Sequence, residues 1–342
     1  MIKAHYQKYE LHFKQPAGTS RGVLKTRTVW YLFLEENGLT GLGECAPLPG
    51  LSIETSEQIE EQLEKVCNDP QTFINKIDLL QDLPSLKFAL ESALLDLQNG
   101  GKREPFPTSF TRGESGIPIN GLIWMNEIEN MQGQIKEKLA AGFRCIKLKI
   151  GAKDFEQELA LLKAVRERFS SDEIILRVDA NGAFDNYSAP DKLKLLAGLQ
   201  LHSIEQPIRA GQWTEMAELC KTTPLPIALD EELIGINNRE DKIQLLDTIC
   251  PQFLVLKPSL HGGISGCDEW IKLANERSIG WWITSYLESN IGLNAIAQWA
   301  FTKNTTMHQG LGTGQLFTNN IESPLEIRGE KLWFNPSKSF GM

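Results

Sequence analysis

The stretch Cys145-Ile-Lys-Leu-Lys-Ile150 is one of seven short apolar runs, and together these runs decide the fold. Segments of helical period separate the runs: in residues 154–169, apolar residues recur every three or four positions, and Asp154 is placed to cap the helix. Strands that alternate with helices predict a parallel sheet. The seven runs are 117–122, 145–150, 174–178, 202–204, 227–229, 253–256 and 281–283.

The spacing of these runs favours a closed barrel over an open sheet. From residue 145 onward the predicted strands end at polar residues that lie 30, 26, 25, 27 and 28 positions apart, namely Lys149, Asp179, Glu205, Asp230, Lys257 and Ser285. The same period places one earlier unit at 117–122 and one later unit at 310–314, which makes the eight units of a (β/α)8 barrel. No helical pattern follows residue 318, so the predicted α/β fold is a (β/α)7β TIM-like barrel.

The rest of the chain predicts a second domain. Residues 28–34 and 39–45 are rich in β-forming side chains and are joined by the turn Glu35-Glu-Asn-Gly38, whereas helical patterns begin at Glu54 and cover 85–97. Glycine and proline concentrate in residues 100–116, which indicates a boundary. We therefore expect an N-terminal α+β domain at 1–112, the barrel at 113–317 and a tail at 318–342 that packs on the N-terminal domain.

Composition excludes several classes of function. The 342 residues are 41% hydrophobic and 23% charged, and 35 Lys and Arg against 44 Asp and Glu give a net charge of −9, which argues against sequence-independent binding to nucleic acid or to an anionic membrane. The six cysteines form no C-x-x-C pair, no apolar run approaches 18 residues, and the N-terminus lacks the apolar core of a signal peptide. These features predict a cytoplasmic protein and leave the oligomeric state open.

Three carboxylates end three consecutive predicted strands. Asp179, Glu205 and Asp230 would share the C-terminal mouth of the barrel, where chemistry occurs in this architecture. Such a cluster repels itself unless a cation lies among its members, and three oxygen ligands with open positions suit Mg²⁺. The sequence therefore predicts a metal site at these residues, in which Mn²⁺ can substitute.

Lysines flank the three carboxylates. Lys147 and Lys149 share one face of the second predicted barrel strand, and Lys257 ends the sixth. A neighbouring ammonium and a nearby dication both lower the pKa of a lysine toward that of a general base. We expect Lys149 and Lys257 to face a metal-bound substrate from opposite sides, with Lys147 in support, an arrangement suited to abstracting a proton α to a carboxylate.

With these residues in place, the chain resembles the enolase superfamily, in its muconate-cycloisomerase-like branch. The resemblance covers nearly the whole chain and implies that the N-terminal domain caps the barrel. It also implies Mg²⁺ at the three carboxylates, with Lys149 and Lys257 as the acid and base groups on either side of a metal-stabilised enediolate. The matching segments are Ile146-Lys-Leu-Lys-Ile150, Arg177-Val-Asp-Ala-Asn-Gly182, Ile204-Glu-Gln-Pro207, Ala228-Leu-Asp-Glu231 and Leu256-Lys-Pro258.

Within this branch the resemblance favours a dehydratase that aromatises a hydroxy-cyclohexadiene carboxylate. The segments that suggest this activity are 116–125, 285–298 and 310–317, and Gly310-Leu-Gly-Thr-Gly314 lacks the Asp-x-Asp that is typical of dipeptide epimerases. A dianionic small molecule is the expected substrate. Its expected contacts, beyond the lysines, are Ser20, Arg21, Arg177, Ser285 and Gly312.

Three other functions stay open at this point. A racemase or epimerase of N-acylated amino acids would use the same two lysines on opposite faces, and a cycloisomerase would differ only in its substrate. A non-catalytic barrel would be expected to lack a base or a metal ligand, whereas Lys147, Lys149, Asp179, Glu205, Asp230 and Lys257 are all present.

Overall fold

The N-terminal part of the chain forms a three-stranded antiparallel sheet. The structure is a computed structural model, and it describes residues 1–19 and 22–342. The strands are β1 (Lys3–Thr19), β2 (Gly22–Glu36) and β3 (Leu39–Cys45), in the order β1-β2-β3. The turn between β2 and β3 holds Asn37 at φ 53° and Gly38 at φ 80°, the left-handed pair that a two-residue hairpin requires.

Three helices cover this sheet, namely α1 (Ser56–Asn68), α2 (Pro70–Asn75) and α3 (Pro84–Gln98). Helix α3 packs so closely on β3 that a Cβ on Gly41 would lie 2.1 Å from the carbonyl oxygen of Ala93, and one on Gly43 would lie 1.9 Å from that of Ala89. The Gly-x-Gly at residues 41–43 therefore serves the approach of a helix to a strand.

The second part of the chain forms a parallel sheet of seven strands in sequence order, with a helix after each strand. The strands are β5 (Gly121–Ile123), β6 (Cys145–Lys149), β7 (Ile175–Asp179), β8 (Ser203–Glu205), β9 (Ile227–Leu229), β10 (Phe253–Leu256) and β11 (Gly280–Ile283). The helices are α4 (Ile128–Ala140), α5 (Phe155–Arg168), α6 (Ala189–Ala197), α7 (Trp213–Thr222), α8 (Arg239–Ile249), α9 (Gly263–Glu276) and α10 (Asn290–Thr302). The predicted fold is confirmed.

The eighth barrel position closes the sheet through single bridges. Gln309 pairs with Ile119, and Gly310 pairs with Thr284, both in parallel fashion. The segment around Gly310 thus lies between the last and first parts of the barrel, as the 27-residue period predicts. No helix follows this position among the described residues, which gives the predicted (β/α)7β order.

The first barrel strand differs from the prediction. The run 117–122 divides into β4 (Ile117–Pro118), which pairs antiparallel with the C-terminal strand β13 (Lys331–Phe334), and β5, which enters the barrel. Strand β13 also pairs with β12 (Leu325–Arg328), so this hairpin adds to the start of the barrel domain. A run of apolar residues cannot reveal such a change of partner, because both partners require the same burial.

The tail divides its contacts between the two parts of the chain. Thr318 donates its N–H to the carbonyl of His12. The side-chain amide of Asn319 accepts from the N–H of His12 through Oδ1 and donates to the carbonyl of Glu10 through Nδ2. The hairpin β12–β13 instead lies against residues 113–119. The first residues of the tail therefore contact the N-terminal sheet, and the limits 1–112, 113–317 and 318–342 stay a prediction. No helix in the described residues is long and apolar enough to cross a membrane.

One buried carboxylate joins the N-terminal sheet to the barrel. Glu44 on β3 is fully buried and accepts hydrogen bonds from the backbone N–H of Ser289 at 2.7 Å, from the Ser289 hydroxyl and from the N–H of Gly292 at 2.7 Å. Ser289 caps α10, so the carboxylate lies at the positive end of that helix dipole. Three donors at one helix end thus fix the angle between the two parts.

Glu44→Gln tests this junction. Both carboxylate oxygens face donors, so either orientation of a glutamine places its NH₂ against an N–H and leaves that donor unpaired. We expect the free energy of unfolding to fall by about 2 kcal/mol, measured by urea denaturation. Glu64→Gln on the exposed face of α1 is the control and should change the free energy of unfolding little. If the two substitutions lowered the free energy of unfolding equally, the role of Glu44 would be contradicted.

Candidate active site

The strand register brings the predicted charged residues together. Lys149 on β6 pairs with Asp179 on β7, and Asp179 pairs with Glu205 on β8. Asp230 directly follows β9, and Lys257 directly follows β10. Because parallel strands lie about 4.8 Å apart, five charged groups meet at one end of the barrel.

The ammonium groups lie among the carboxylates. Lys147 Nζ is 2.9 Å from Asp179 Oδ2 and 2.6 Å from Glu205 Oε2, and Lys257 Nζ pairs with Asp230 Oδ2. Lys149 Nζ is 3.4 Å from Asp179 Oδ2. The side chains of all six residues are at most 14% exposed, so these pairs are weakly screened by solvent.

Burial and charge perturb the pKa values at this site. Burial together with Asp179 raises the pKa of Glu205 well above its usual range. Burial alone would also raise the pKa of Asp179, but Lys147 and Lys149 outweigh it and hold that pKa low. Asp230 is held low in the same way by Lys257. The three acids thus differ in proton affinity although they lie side by side.

The lysine pKa values differ from the sequence expectation. Burial lowers the pKa of Lys147 and of Lys257, but their carboxylate partners outweigh burial, so both values are raised. A lowered lysine pKa was expected because a dication and a second ammonium would lie near the base. Among the groups of the chain itself the carboxylates dominate, which explains the difference.

The residues at the mouth fit a hard divalent cation. The donors are carboxylate oxygens from three neighbouring strands, the ligands that Mg²⁺ prefers, and Asp230 Oδ1 is buried with no hydrogen-bond partner in the part of the chain that the structure describes. Within the described residues no three acidic, thiol or imidazole side chains are already gathered around one point. Lys147 and Lys257 lie between the carboxylates instead, so a cation would take over part of their electrostatic role.

A cavity of about 110 Å³ opens above these groups. Ser285 and Gly312, two of the predicted substrate contacts, line it, together with the apolar side chains of Leu122, Trp124 and Trp282. The N-terminal domain contributes Leu48 and Leu51, which the sequence alone could not place here. A cavity with apolar walls and a charged floor suits a ring that carries a carboxylate.

Two protein families match successive parts of the chain. Residues 130–335 match the family described as Enolase C-terminal domain-like, and residues 1–97 match the one described as MenC, N-terminal domain. The chain belongs to the enolase superfamily. The resemblance that the motifs indicated is thereby confirmed.

Relatives within the enolase superfamily cover the whole chain. An o-succinylbenzoate synthase from Desulfotalea psychrophila is 49% identical, over 97% of this chain and 98% of that protein. The crystal structure of MenC from Desulfotalea psychrophila LSv54 has a TM-score of 0.87 at 45% identity, over 97% of this chain and 99% of that one. An N-succinylamino acid racemase from Thermus thermophilus is 30% identical, over 83% of this chain and 78% of that protein.

The remaining predicted contacts are not all at the cavity of this enolase-superfamily member. Arg177 is 1% exposed and lies in the barrel interior, where its guanidinium stacks 4.1 Å from the Trp282 ring centroid and donates to the carbonyl of His308 at 2.8 Å. It is not among the residues that line the cavity. Ser20 and Arg21 lie outside the described residues, and their contact with substrate stays a prediction.

Two polar residues at the site were missed by the sequence reasoning. Lys149 Nζ donates to Asn181 Oδ1 at 2.7 Å, and Asn181 Nδ2 donates to Glu231 Oε1 at 3.0 Å. Burial and the adjacent Asp230 raise the pKa of Glu231 to about 7. Both residues stand inside matched motifs, Asp-Ala-Asn-Gly and Leu-Asp-Glu, so their position next to metal-ligand candidates was the available signal.

Lys147→Met tests the electrostatic balance of the site. The substitution keeps the apolar stem and removes the charge that compensates Asp179 and Glu205, so in buffer with a chelator we expect the free energy of unfolding to fall by about 3 kcal/mol. Urea denaturation measures this. Lys65→Met, which breaks an exposed helical ion pair with Glu61, should have only a slight effect. If Lys147→Met lowered the free energy of unfolding no more than Lys65→Met, the proposed charge compensation by Lys147 would be contradicted.

Proposed function

We propose that this protein is an o-succinylbenzoate synthase, a carbon–oxygen lyase of menaquinone biosynthesis. It would dehydrate 2-succinyl-6-hydroxy-2,4-cyclohexadiene-1-carboxylate to 2-succinylbenzoate. The likeness that carries the proposal is the 49% identity to the Desulfotalea psychrophila synthase, because it extends over almost the full length of both proteins. The lysines and carboxylates that the reaction needs lie at one end of the barrel in this chain.

Asp179, Glu205 and Asp230 would hold Mg²⁺, and Mn²⁺ would substitute because it accepts the same oxygen donors. The metal supplies positive charge where the substrate carboxylate becomes more negative as its α-proton leaves. The chain supplies the rest of the site. In particular, the ammonium groups of Lys147 and Lys257 hold these acids in place and keep the pKa of Asp179 and of Asp230 low.

Lys149 is the proposed base. In its neutral form Nζ takes the proton from the carbon next to the ring carboxylate, and the electron pair of that C–H bond spreads onto the carboxylate as an enediolate. The pair then returns to the ring as the C–O bond to the hydroxyl breaks. The same ammonium then gives the proton to the leaving hydroxide, so water and an aromatic ring are the products. Asn181, which accepts from Lys149 Nζ at 2.7 Å, would hold the amine toward the cavity.

Lys257 is the proposed electrostatic partner on the opposite side. It lies four strands from Lys149 around the barrel, and it would stabilise the negative charge that spreads over the substrate carboxylate. Lys147, which bridges Asp179 and Glu205, would position these two ligands.

An N-acylamino acid racemase is the second candidate, since the racemase from Thermus thermophilus is 30% identical. Such an enzyme exchanges the α-proton between two faces and loses no leaving group. Incubation with N-succinyl amino acids in D₂O would reveal it, because both enantiomers would gain deuterium at the α-carbon. Turnover of the cyclohexadiene without such exchange supports the synthase, and a cycloisomerase would turn over neither compound.

Substitution of either lysine tests the mechanism. We expect Lys149→Ala and Lys257→Ala each to lower kcat by about 10³-fold, because one loses the base and the other the opposing charge. The rise of 2-succinylbenzoate absorbance measures turnover. Lys163→Ala, on the exposed face of α5, should keep full activity. Turnover by Lys149→Ala at the rate of the unsubstituted protein would reject the assignment.

Removal of the metal tests the cofactor. We expect a chelator to abolish turnover and either Mg²⁺ or Mn²⁺ to restore it, while Asp230→Asn should need at least ten times more metal for half-maximal activity. Full activity in chelator would contradict the site. If calorimetry detected no binding of either ion, the interpretation as a non-catalytic, ligand-binding barrel would gain support.

A further inference from the structure

Gln206 occupies an unusual place directly behind the candidate metal ligands. It follows Glu205, is 0% exposed, and has φ 41°, in the left-handed region that is unfavourable for a residue with a side chain. This backbone conformation turns the chain at the end of β8 and directs the carboxamide into the protein. A local cost of this kind persists only where the surrounding contacts enforce it.

The carboxamide of Gln206 uses its full hydrogen-bonding capacity. Its Oε1 accepts from the backbone N–H of Asp230 and from that of Glu232, both at 3.2 Å. Its Nε2 donates to the carbonyl of Ile208 at 3.0 Å and to Glu232 Oε2 at 3.1 Å. Two donors and two acceptors are thus satisfied in a place that solvent does not reach.

The backbone of Gln206 extends these connections to the neighbouring strands. Its N–H donates to the carbonyl of Ala228 at 2.9 Å, and its carbonyl accepts from the N–H of Gly182 at 2.7 Å. The residue therefore contacts the chain at the ends of β7, β8 and β9. Each of these strand ends carries one candidate ligand: Asp179 ends β7, Glu205 ends β8 and Asp230 directly follows β9.

We infer that Gln206 is a positioning residue that sets the place of Asp230 relative to Glu205, and hence the affinity of the site for a divalent cation. The inference rests on the proposed metal site at Asp179, Glu205 and Asp230. The amide acts on Asp230 through its backbone N–H. It touches no oxygen that would bind the metal.

The chemistry of the contacts requires an amide at this position. A glutamate would offer no donor to Ile208 and would place a second carboxylate against Glu232. A leucine would leave the buried N–H groups of Asp230 and Glu232 without an acceptor, which is unfavourable for each donor. The chain after β9 would then shift until these donors reach other partners, and Asp230 would shift with it.

Titration of the full-length protein with MnCl₂ in a calorimeter tests the inference, with thermal denaturation of each variant alongside. We expect Gln206→Leu to weaken Mn²⁺ binding 10- to 100-fold, the range seen when a residue behind metal ligands is changed. The control is Gln298→Leu. Gln298 is also 0% exposed and makes three hydrogen bonds, to Arg103, Phe106 and Asn294, away from the cavity.

The comparison separates positioning from general stability. Both leucine variants should lower the melting temperature, but only Gln206→Leu should change the Kd for Mn²⁺. Kd values that agree within twofold between Gln206→Leu and the unsubstituted protein would overturn the inference and leave the metal site intact. Failure of the unsubstituted protein to bind Mn²⁺ would overturn the proposed site, and the inference with it.

A milder substitution keeps the test decisive if Gln206→Leu does not fold. Glu232 Oε1 accepts from the N–H of Gly211 at 2.7 Å, and the amide oxygen of the Glu232→Gln variant can still accept this hydrogen bond. Its NH₂ then faces Gln206 Nε2, which forces the Gln206 carboxamide to rotate and withdraw its oxygen from Asp230. We expect a 3- to 10-fold weaker Kd for Mn²⁺, and an unchanged Kd would count against the inference.

Discussion

Neutralisation of buried negative charge is the constraint on which the rest of this structure depends. Among the described residues, the four carboxyl groups of Asp179, Glu205, Asp230 and Glu231 line one cavity with three ammonium groups. At low dielectric their mutual repulsion is worth several kcal/mol unless cations lie between them. The barrel supplies the cations from strands on either side of the acids. Because these carboxyl groups are clustered, they also attract a metal cation.

Much of the fold and of the charged floor of the cavity could be predicted from the sequence, because both follow from periodicity. In a strand, side chains alternate, and in a barrel the strand ends share one face, so residues such as Lys149 and Asp179 must meet once the period of 27 is recognised. The split of 117–122 between β4 and β5 could not be predicted. It depends on pairing with Leu332, more than 200 residues away, and no local pattern encodes that contact.

The parts of the site that escaped prediction are those that depend on tertiary packing. Leu48 and Leu51 line the cavity because Glu44 and α3 fix the angle of the N-terminal domain. Arg177 faces the barrel interior as its strand position requires, but whether it meets the cavity depends on the Trp282 ring that covers it. Sequence spacing gives the direction of a side chain and leaves open what lies in front of it.

The composition of the cavity wall has a consequence for how such an enzyme can change. The lysines that we propose to act on protons stand at the strand ends of the barrel, whereas Leu48 and Leu51 of the cavity wall come from the N-terminal part of the chain. New substrates can therefore be accommodated by altering Leu48, Leu51 or their neighbours while the reactive machinery stays untouched. Division of the cavity between two parts of the chain thus allows the wall to vary while the charged floor is kept.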